Sequence, residues 1–242
     1  MKGVALRINP RATIVDITHE IPPGDIRSGA FALAASWRFF PKGTVHVAVV
    51  DPGVGSERKA IVVQMESHFF VGPDNGVLSC VLARTTPVER IHLIENSRYW
   101  LKPLSHTFHG RDIFAPVAAR LSRGVPIQKF GPRLKDIERL SWPEPETTGK
   151  RITGEVIYID RFGNAITNIE IKSIAEANRA AARVFLRGKL LCGIGPLYGS
   201  VQEGRPVGVF GSSGFLEIAI NGGNAARQLR IKPGTPIAVK YQ

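Results

Sequence analysis

The segment VVDPGVGSERK, residues 49–59, ends a hydrophobic run in Asp51 and continues through Pro52, Gly53 and Gly55 to Arg58. A carboxylate at the carboxyl end of a strand, followed by a guanidinium, can orient a polar ligand, because open α/β sheets bind ligands where strands end. The two glycines let the backbone approach that ligand or take a positive φ. A plain strand-ending turn capped by an Asp accounts for the same residues. A phosphate loop of the GxxxxGK[ST] type is absent, and Glu57 would repel a phosphate.

Further polar clusters carry chemistry of other kinds. THEIPPGD holds His19, Glu20 and Asp25, and SHTFHGRD (105–112) holds His106, His109, Arg111 and Asp112. The His-x-x-His spacing invites a metal, yet no carboxylate stands at metalloprotease spacing and Arg111 opposes a cation, so a metal is disfavoured. The same run reads as a helix N-terminus with Asp112 in its first turn. PDNG (73–76) has Asn-Gly turn chemistry. In IDRFGNAITNI, Asp160, Phe162 and Asn164 alternate, which on a strand puts a carboxylate, an aromatic ring and an amide on one face. Together these could bind an ammonium, stack on a planar ring and read ring nitrogens. GSSGFLEIAINGGNA adds Ser212, Ser213 and a turn at Asn221, Gly222 and Gly223. From these segments alone a hairpin-rich barrel without a ligand is the preferred reading. GIGPLYG (193–199) lacks a preceding βαβ unit and is not read as a dinucleotide loop.

Two kinds of elements must position these residues. In the first half, ATIVDI (12–17), TVHVAVVD (44–51), AIVVQM (60–65) and HFFVG (68–72) read as strands. TVHVAVVD is continuous enough to be a central strand buried on both faces. Helices are expected over residues 25–40, capped by Asp25 and stopped by Pro41 and Gly43, and over 75–83 and 111–121. This alternation predicts an α/β N-terminal domain, residues 1–140, with a mainly parallel sheet. SWPEPETTGK (141–150) reads as a linker. Residues 151–242 are short β-rich runs punctuated by Gly and Pro, with one helix-like insert, SIAEANRAAARV. They predict an all-β, barrel-like C-terminal domain.

The 242 residues, 43% hydrophobic and 21% charged, exclude a disordered tail, a collagen and a membrane bundle. A formal net charge of +12 suggests a polyanion such as nucleic acid, but the excess spreads over both halves without a basic run, which makes nucleic acid an unfavoured partner. Cys80 and Cys192 stand far apart and form no disulfide framework or CxxC knuckle, so a cytoplasmic location is expected. Arg7 and Pro10 break the opening apolar stretch, which excludes a signal peptide. No apolar run approaches the ~20 residues of a membrane helix.

Taken in order, ITHEIPPGDIRSGAF, FFPKGTVHVAVVDPGVGSERKAI, VGPDNGVLS, TFHGRDIFAPVAA, DRFGNAITNI and SSGFLEIAINGGNAA resemble one family over essentially the whole chain. It is the S-adenosyl-L-methionine (SAM) hydroxide adenosyltransferases, or SAM hydrolases, relatives of the fluorinase and chlorinase. The resemblance implies hydrolysis of SAM to adenosine and L-methionine by water attacking ribose C5′, with no metal and no cofactor. It also implies a homotrimer with sites between the N-terminal domain of one subunit and the C-terminal domain of its neighbour. The family's water-activating Asp-Arg-His triad matches Asp51, Arg58 and His109, whereas halogenases replace the Asp and His. Its methionine-binding carboxylate and serine match Asp160 and Ser213. Its adenine contacts match Phe162 and Asn164, with Tyr198 as a second stacking ring. Family members begin with a further strand and a ribose-gripping aspartate, whereas Met1 here falls at an internal MKG, as expected if the start is placed too late. The alternatives are a halide-using SAM enzyme, or a non-catalytic SAM-, adenosine- or nucleic-acid-binding protein if the chain is truly truncated.

Overall fold

A computed structural model describes residues 1–83 and 90–241. The chain divides into two compact units, Met1–Leu140 and Ser141–Gln242.

The first unit contains α1 (Lys2–Ile8), α2 (Ile26–Ser36), β1 (Val45–Val47), β2 (Ala60–Met65), β3 (His68–Pro73), α3 (Ser79–Ala83), β4 (Arg90–Leu93) and α4 (Ala115–Leu121). Asp25 caps α2, its Oδ1 accepting the Ser28 amide at 3.0 Å. The sheet order is β1-β3-β2-β4. Alternate residues of β2 serve two cores. Ile61, Val63 and Met65 pack with Leu33, Trp37 and Leu78. Ala60 and Val62 pack with Phe114, Val117 and Phe130. Helices therefore cover both faces, and β2 reads as a continuous apolar run for that reason.

The sheet is mixed rather than mainly parallel. Among the described residues only β1 with β3 runs parallel, while β2 pairs antiparallel with both β3 and β4. For β2 and β3 the cause is the two-residue turn Glu66-Ser67, with φ of 47° and 64°. A connection that short joins only antiparallel strands, and its left-handed residues suit a type I′ turn. Neither residue is the Gly or Asn that would signal it in sequence. The strand expected at 44–51 is also corrected: the strand spans only Val45–Val47, with Thr44 and Ala48 adding single bonds to β3, and lies at the edge of the sheet. ATIVDI is irregular, with Ile14, Val15 and Ile17 exposed. The helix expected at 75–83 begins only at Ser79, and that at 111–121 opens as a π-helical turn, Gly110–Phe114.

The second unit contains β5 (Glu146–Thr148), β6 (Arg151–Ile159), β7 (Ala165–Glu170), α5 (Glu176–Arg179), β8 (Arg183–Leu186), β9 (Lys189–Gly193), β10 (Pro206–Phe210), β11 (Phe215–Ile220), α6 (Ala225–Gln228) and β12 (Pro236–Lys240). The order β10-β11-β7-β6-β12-β8-β9, with β5 on β6, is antiparallel throughout. The Gly195 amide donates to the Gly208 carbonyl at 2.8 Å, bringing the two ends of the order together in a nearly closed barrel. Ile152, Val184, Leu216, Ile218 and Val239 fill it. Among the described residues no helix is long and apolar enough to cross a membrane.

Two buried histidines tie the first unit's stability to pH. His46 on β1 and His68 on β3 approach at 3.2 Å between Nε2 and Nδ1, and the His46 ring stacks on Phe70. Burial pushes His46 down to about 4 and also lowers His68. The unfolded chain binds these protons near pH 6.5, as free histidine does. Their contribution is therefore full above about pH 6.5 and is lost as pH falls toward 4. Urea unfolding across that window should show stability dropping, by on the order of 3 kcal/mol from His46. A midpoint independent of pH would be the contrary result.

Candidate functional site

Asp51 lies just beyond β1, on a turn in which the Val54 amide donates to the Asp51 carbonyl at 3.2 Å. The Asn75 side-chain amide donates to the Val50 carbonyl at 2.9 Å, so the PDNG loop fixes the strand end that carries the carboxylate. Arg58 reaches back across the turn: its Nε donates to Asp51 Oδ1 at 2.9 Å and its Nη2 to Oδ2 at 2.5 Å. Only 10% of the Arg58 side chain and 6% of the Asp51 side chain are exposed. In so dry a setting a bidentate, charge-assisted pair holds its geometry. The ring of fully buried Phe114 lies 5.4 Å from the guanidinium carbon.

His109 closes the cluster. Arg58 Nη2 lies 2.8 Å from His109 Nδ1. A guanidinium has no acceptor, so Nδ1 must be the accepting nitrogen. Burial, then the Arg58 charge, lowers the His109 pKa. The neutral ring therefore keeps its proton on Nε2, and His109 presents a donor rather than a free basic nitrogen. The loop that places it is tied down by fully buried Asp112, which accepts the Ser105 amide at 2.8 Å and pairs with Arg111. The two loops meet because residue 55 is a glycine: a Cβ there would stand 2.3 Å from the His106 carbonyl oxygen, at a φ of +80°.

A cleft of about 440 Å³ opens beside Asp51, lined by residues including Thr18, His19, Pro23, Ala32 and Val49. Within the loop that lines it, His19 is largely exposed and pairs with Asp16 at 3.1 Å. Asp25 serves as a helix cap and Glu20 is exposed.

In the second unit, Asp160, Phe162 and Asn164 do not share a strand face. They form the turn before β7, with Gly163 at a φ of 86°. Asp160 Oδ1 accepts the amides of Phe162 and Asn164 at 2.9 and 2.8 Å, and Oδ2 accepts the Asn164 side chain at 2.9 Å. The carboxylate thus builds the turn that leaves the Phe162 ring 75% exposed. Ser213 Oγ is buried without a hydrogen-bond partner among the described residues. Tyr198 begins a short 3₁₀ turn, and its hydroxyl donates to Glu217 Oε2 at 2.6 Å. Glu217 was not singled out by sequence reasoning. A lone carboxylate within the apolar run FLEIAI is the signal that could have found it.

The contact at Gly55 generates a testable outcome. Gly55→Ala should destabilise the first unit by about 1–3 kcal/mol, the usual cost of a left-handed non-glycine residue, and should separate His109 from Arg58. Thermal unfolding checks the first effect, and an unchanged melting temperature would contradict it.

Comparison with known proteins gives this arrangement a family. A family model of the SAM hydroxide adenosyltransferase N-terminal domain matches residues 1–131, and that of the C-terminal domain matches residues 154–238. The (R)-S-adenosyl-L-methionine hydrolase of Salinispora arenicola is 38% identical over 98% of this chain and 90% of its own length. The fluorinase of an Actinoplanes species is 28% identical over 98% of this chain and 91% of its own. The crystal structure of an uncharacterised conserved protein from Thermotoga maritima superposes with a TM-score of 0.92 at 40% identity, covering 99% of this chain and 93% of that one. With both domain models matched in order, the chain belongs to the SAM hydroxide adenosyltransferase family.

Proposed function

We propose that this protein hydrolyses S-adenosyl-L-methionine to adenosine and L-methionine, by in-line attack of water on C5′ of the ribose. The Salinispora relative is named for the (R) epimer at sulfur, and we carry that epimer over as the preferred substrate. One observation carries the mechanism: the hydrogen-bonded cluster of Asp51, Arg58 and His109 in a chain of this family.

The substrate brings its own leaving group, since a sulfonium departs as a neutral thioether. What remains is to hold a water in line and exclude competing solvent. Asp51 accepts a hydrogen bond from that water through a lone pair that Arg58 leaves free. Its negative charge also favours the sulfonium. As the C5′–O bond forms, the C5′–S bond breaks and its electron pair leaves with methionine. The proton lost from the new hydroxyl group passes to Asp51 and then to solvent. His109 holds Arg58, and through it Asp51, in register. No cofactor takes part, and the reaction takes place in the cytoplasm.

In the second unit, Asp160 and Ser213 serve the methionine end of the substrate, and Phe162, Asn164 and Tyr198 the adenine. The unpartnered Ser213 hydroxyl and the exposed Phe162 ring support these roles. The assembly is a homotrimer in which the first unit of one copy works with the second unit of a neighbour. A stable, fully active monomer in light scattering would overturn that assignment.

Incubation with each SAM epimer, followed by chromatography, should yield adenosine and methionine. Asp51→Ala should lower kcat/KM by roughly 10²–10⁴, the usual worth of such a group, and unchanged turnover would sink the mechanism. A 5′-halo-5′-deoxyadenosine formed in chloride or fluoride would favour the halide-using reading instead, which Asp51 and His109 speak against. A second outcome concerns pH. Protonating His109 Nδ1 would break its bond to Arg58 and set two cations side by side. Because burial and Arg58 lower its pKa, kcat/KM should be level above about pH 6.5 and fall only below it.

A further inference from the structure

β11 carries Glu217 on the face opposite Leu216 and Ile218, which fill the barrel. Glu217 is only 6% exposed. A carboxylate buried outside the core of a barrel carries a desolvation cost that a fold without a use for it would avoid. Here the sequence makes room for it. A Cβ at residue 211 would stand 1.7 Å from Glu217 Oε1, so the carboxylate lies directly against Gly211 and a larger residue there would push it aside. The segment carrying Tyr198 is tied at both ends independently of the carboxylate. The Gly195 amide bonds to the Gly208 carbonyl at 2.8 Å, and the Asn221 side chain to the Val201 carbonyl at 2.7 Å. Between those ties the bond from the Tyr198 hydroxyl to Glu217 restrains the ring, which stays 43% exposed. Burial raises the Glu217 pKa and the Asp160 charge adds to the rise; Tyr198 is raised by burial and by Glu217. The three groups therefore share one electrostatic neighbourhood.

We propose that Glu217 is a positioning residue: through Tyr198 it holds one aromatic face still as a platform for the planar base of the ligand. A ring already immobilised loses less freedom when a base stacks on it, so the anchor appears as affinity. The inference rests on the adenine-binding role proposed for Tyr198, and adenosine is the probe that tests it without requiring turnover.

Adenosine binding to the full chain is measured by calorimetry, with thermal unfolding to verify that each variant folds. Tyr198→Phe and Glu217→Leu should each weaken adenosine binding by roughly tenfold, the scale of one immobilised side chain. The double variant should be no weaker than either alone, because both remove one anchor. Glu217→Gln keeps an acceptor and should bind within about twofold of the parent, while Tyr198 ionises at lower pH than in the parent because the negative charge is gone. A structural role alone would not produce that combination. Unchanged affinity in folded Tyr198→Phe or Glu217→Leu, or additive losses in the double variant, would overturn the inference while leaving SAM hydrolysis intact. A parent chain that hydrolyses no SAM but binds adenosine with this pattern would keep the anchor and overturn only the reaction. A parent that binds no adenosine overturns the anchor, while the reaction is judged separately by turnover of SAM.

Discussion

The guanidinium of Arg58 has donors and no acceptor, and that asymmetry governs the site in the first unit. One edge grips Asp51 through both carboxylate oxygens, and Nη2 is shared with His109 Nδ1. Three groups that could each adopt several roles are thereby reduced to one arrangement: an ionised carboxylate, a fixed cation and a neutral imidazole protonated at Nε2. The surrounding structure serves that arrangement. Phe114 lies under the guanidinium, Gly55 lets two loops touch, and Asp112 ties down the loop that ends in His109. Low exposure of Arg58 and Asp51 keeps water from competing for their bonds.

In the second unit a carboxylate is again spent on geometry. Asp160 uses both oxygens to close the turn that displays Phe162, and Glu217 fixes the hydroxyl of Tyr198. Both acids leave an aromatic surface exposed and partly ordered, which is what a stacking ligand requires. The net charge of +12 contributes nothing to attracting the cationic substrate proposed above. Attraction for its sulfonium must come from local carboxylates, and Asp51, with 6% of its side chain exposed, counts for more than a surface charge would.

The barrel was legible in advance because alternating short runs and Gly/Pro punctuation map directly onto hairpins. The first sheet was not. Strand and helix runs in alternation predict parallel pairing, but Glu66 and Ser67 adopt left-handed conformations that their side chains do not advertise, and the tight turn reverses the chain. Val47 likewise belongs to a strongly β-branched run, yet sits at an edge because pairing partners are supplied by the rest of the chain and not by the run itself. The spacing of Asp160, Phe162 and Asn164 suggested a shared strand face. Hydrogen bonding of Asp160 to nearby backbone amides competes with the ladder and wins, giving a turn.

The sequence by itself determined the residue types available for chemistry, the family they belong to, and the change from mixed α/β to all-β character near residue 141. These are properties of local order and motif, carried by neighbours along the chain. The tertiary structure alone decided that Arg58 stands between Asp51 and His109, that His109 is held neutral with Nδ1 occupied, and that Glu217 accepts the Tyr198 hydroxyl. Each of those depends on the distance and burial of groups far apart in sequence. Hydrogen-bond direction and protonation follow from distance and burial, and neither is written in residue order.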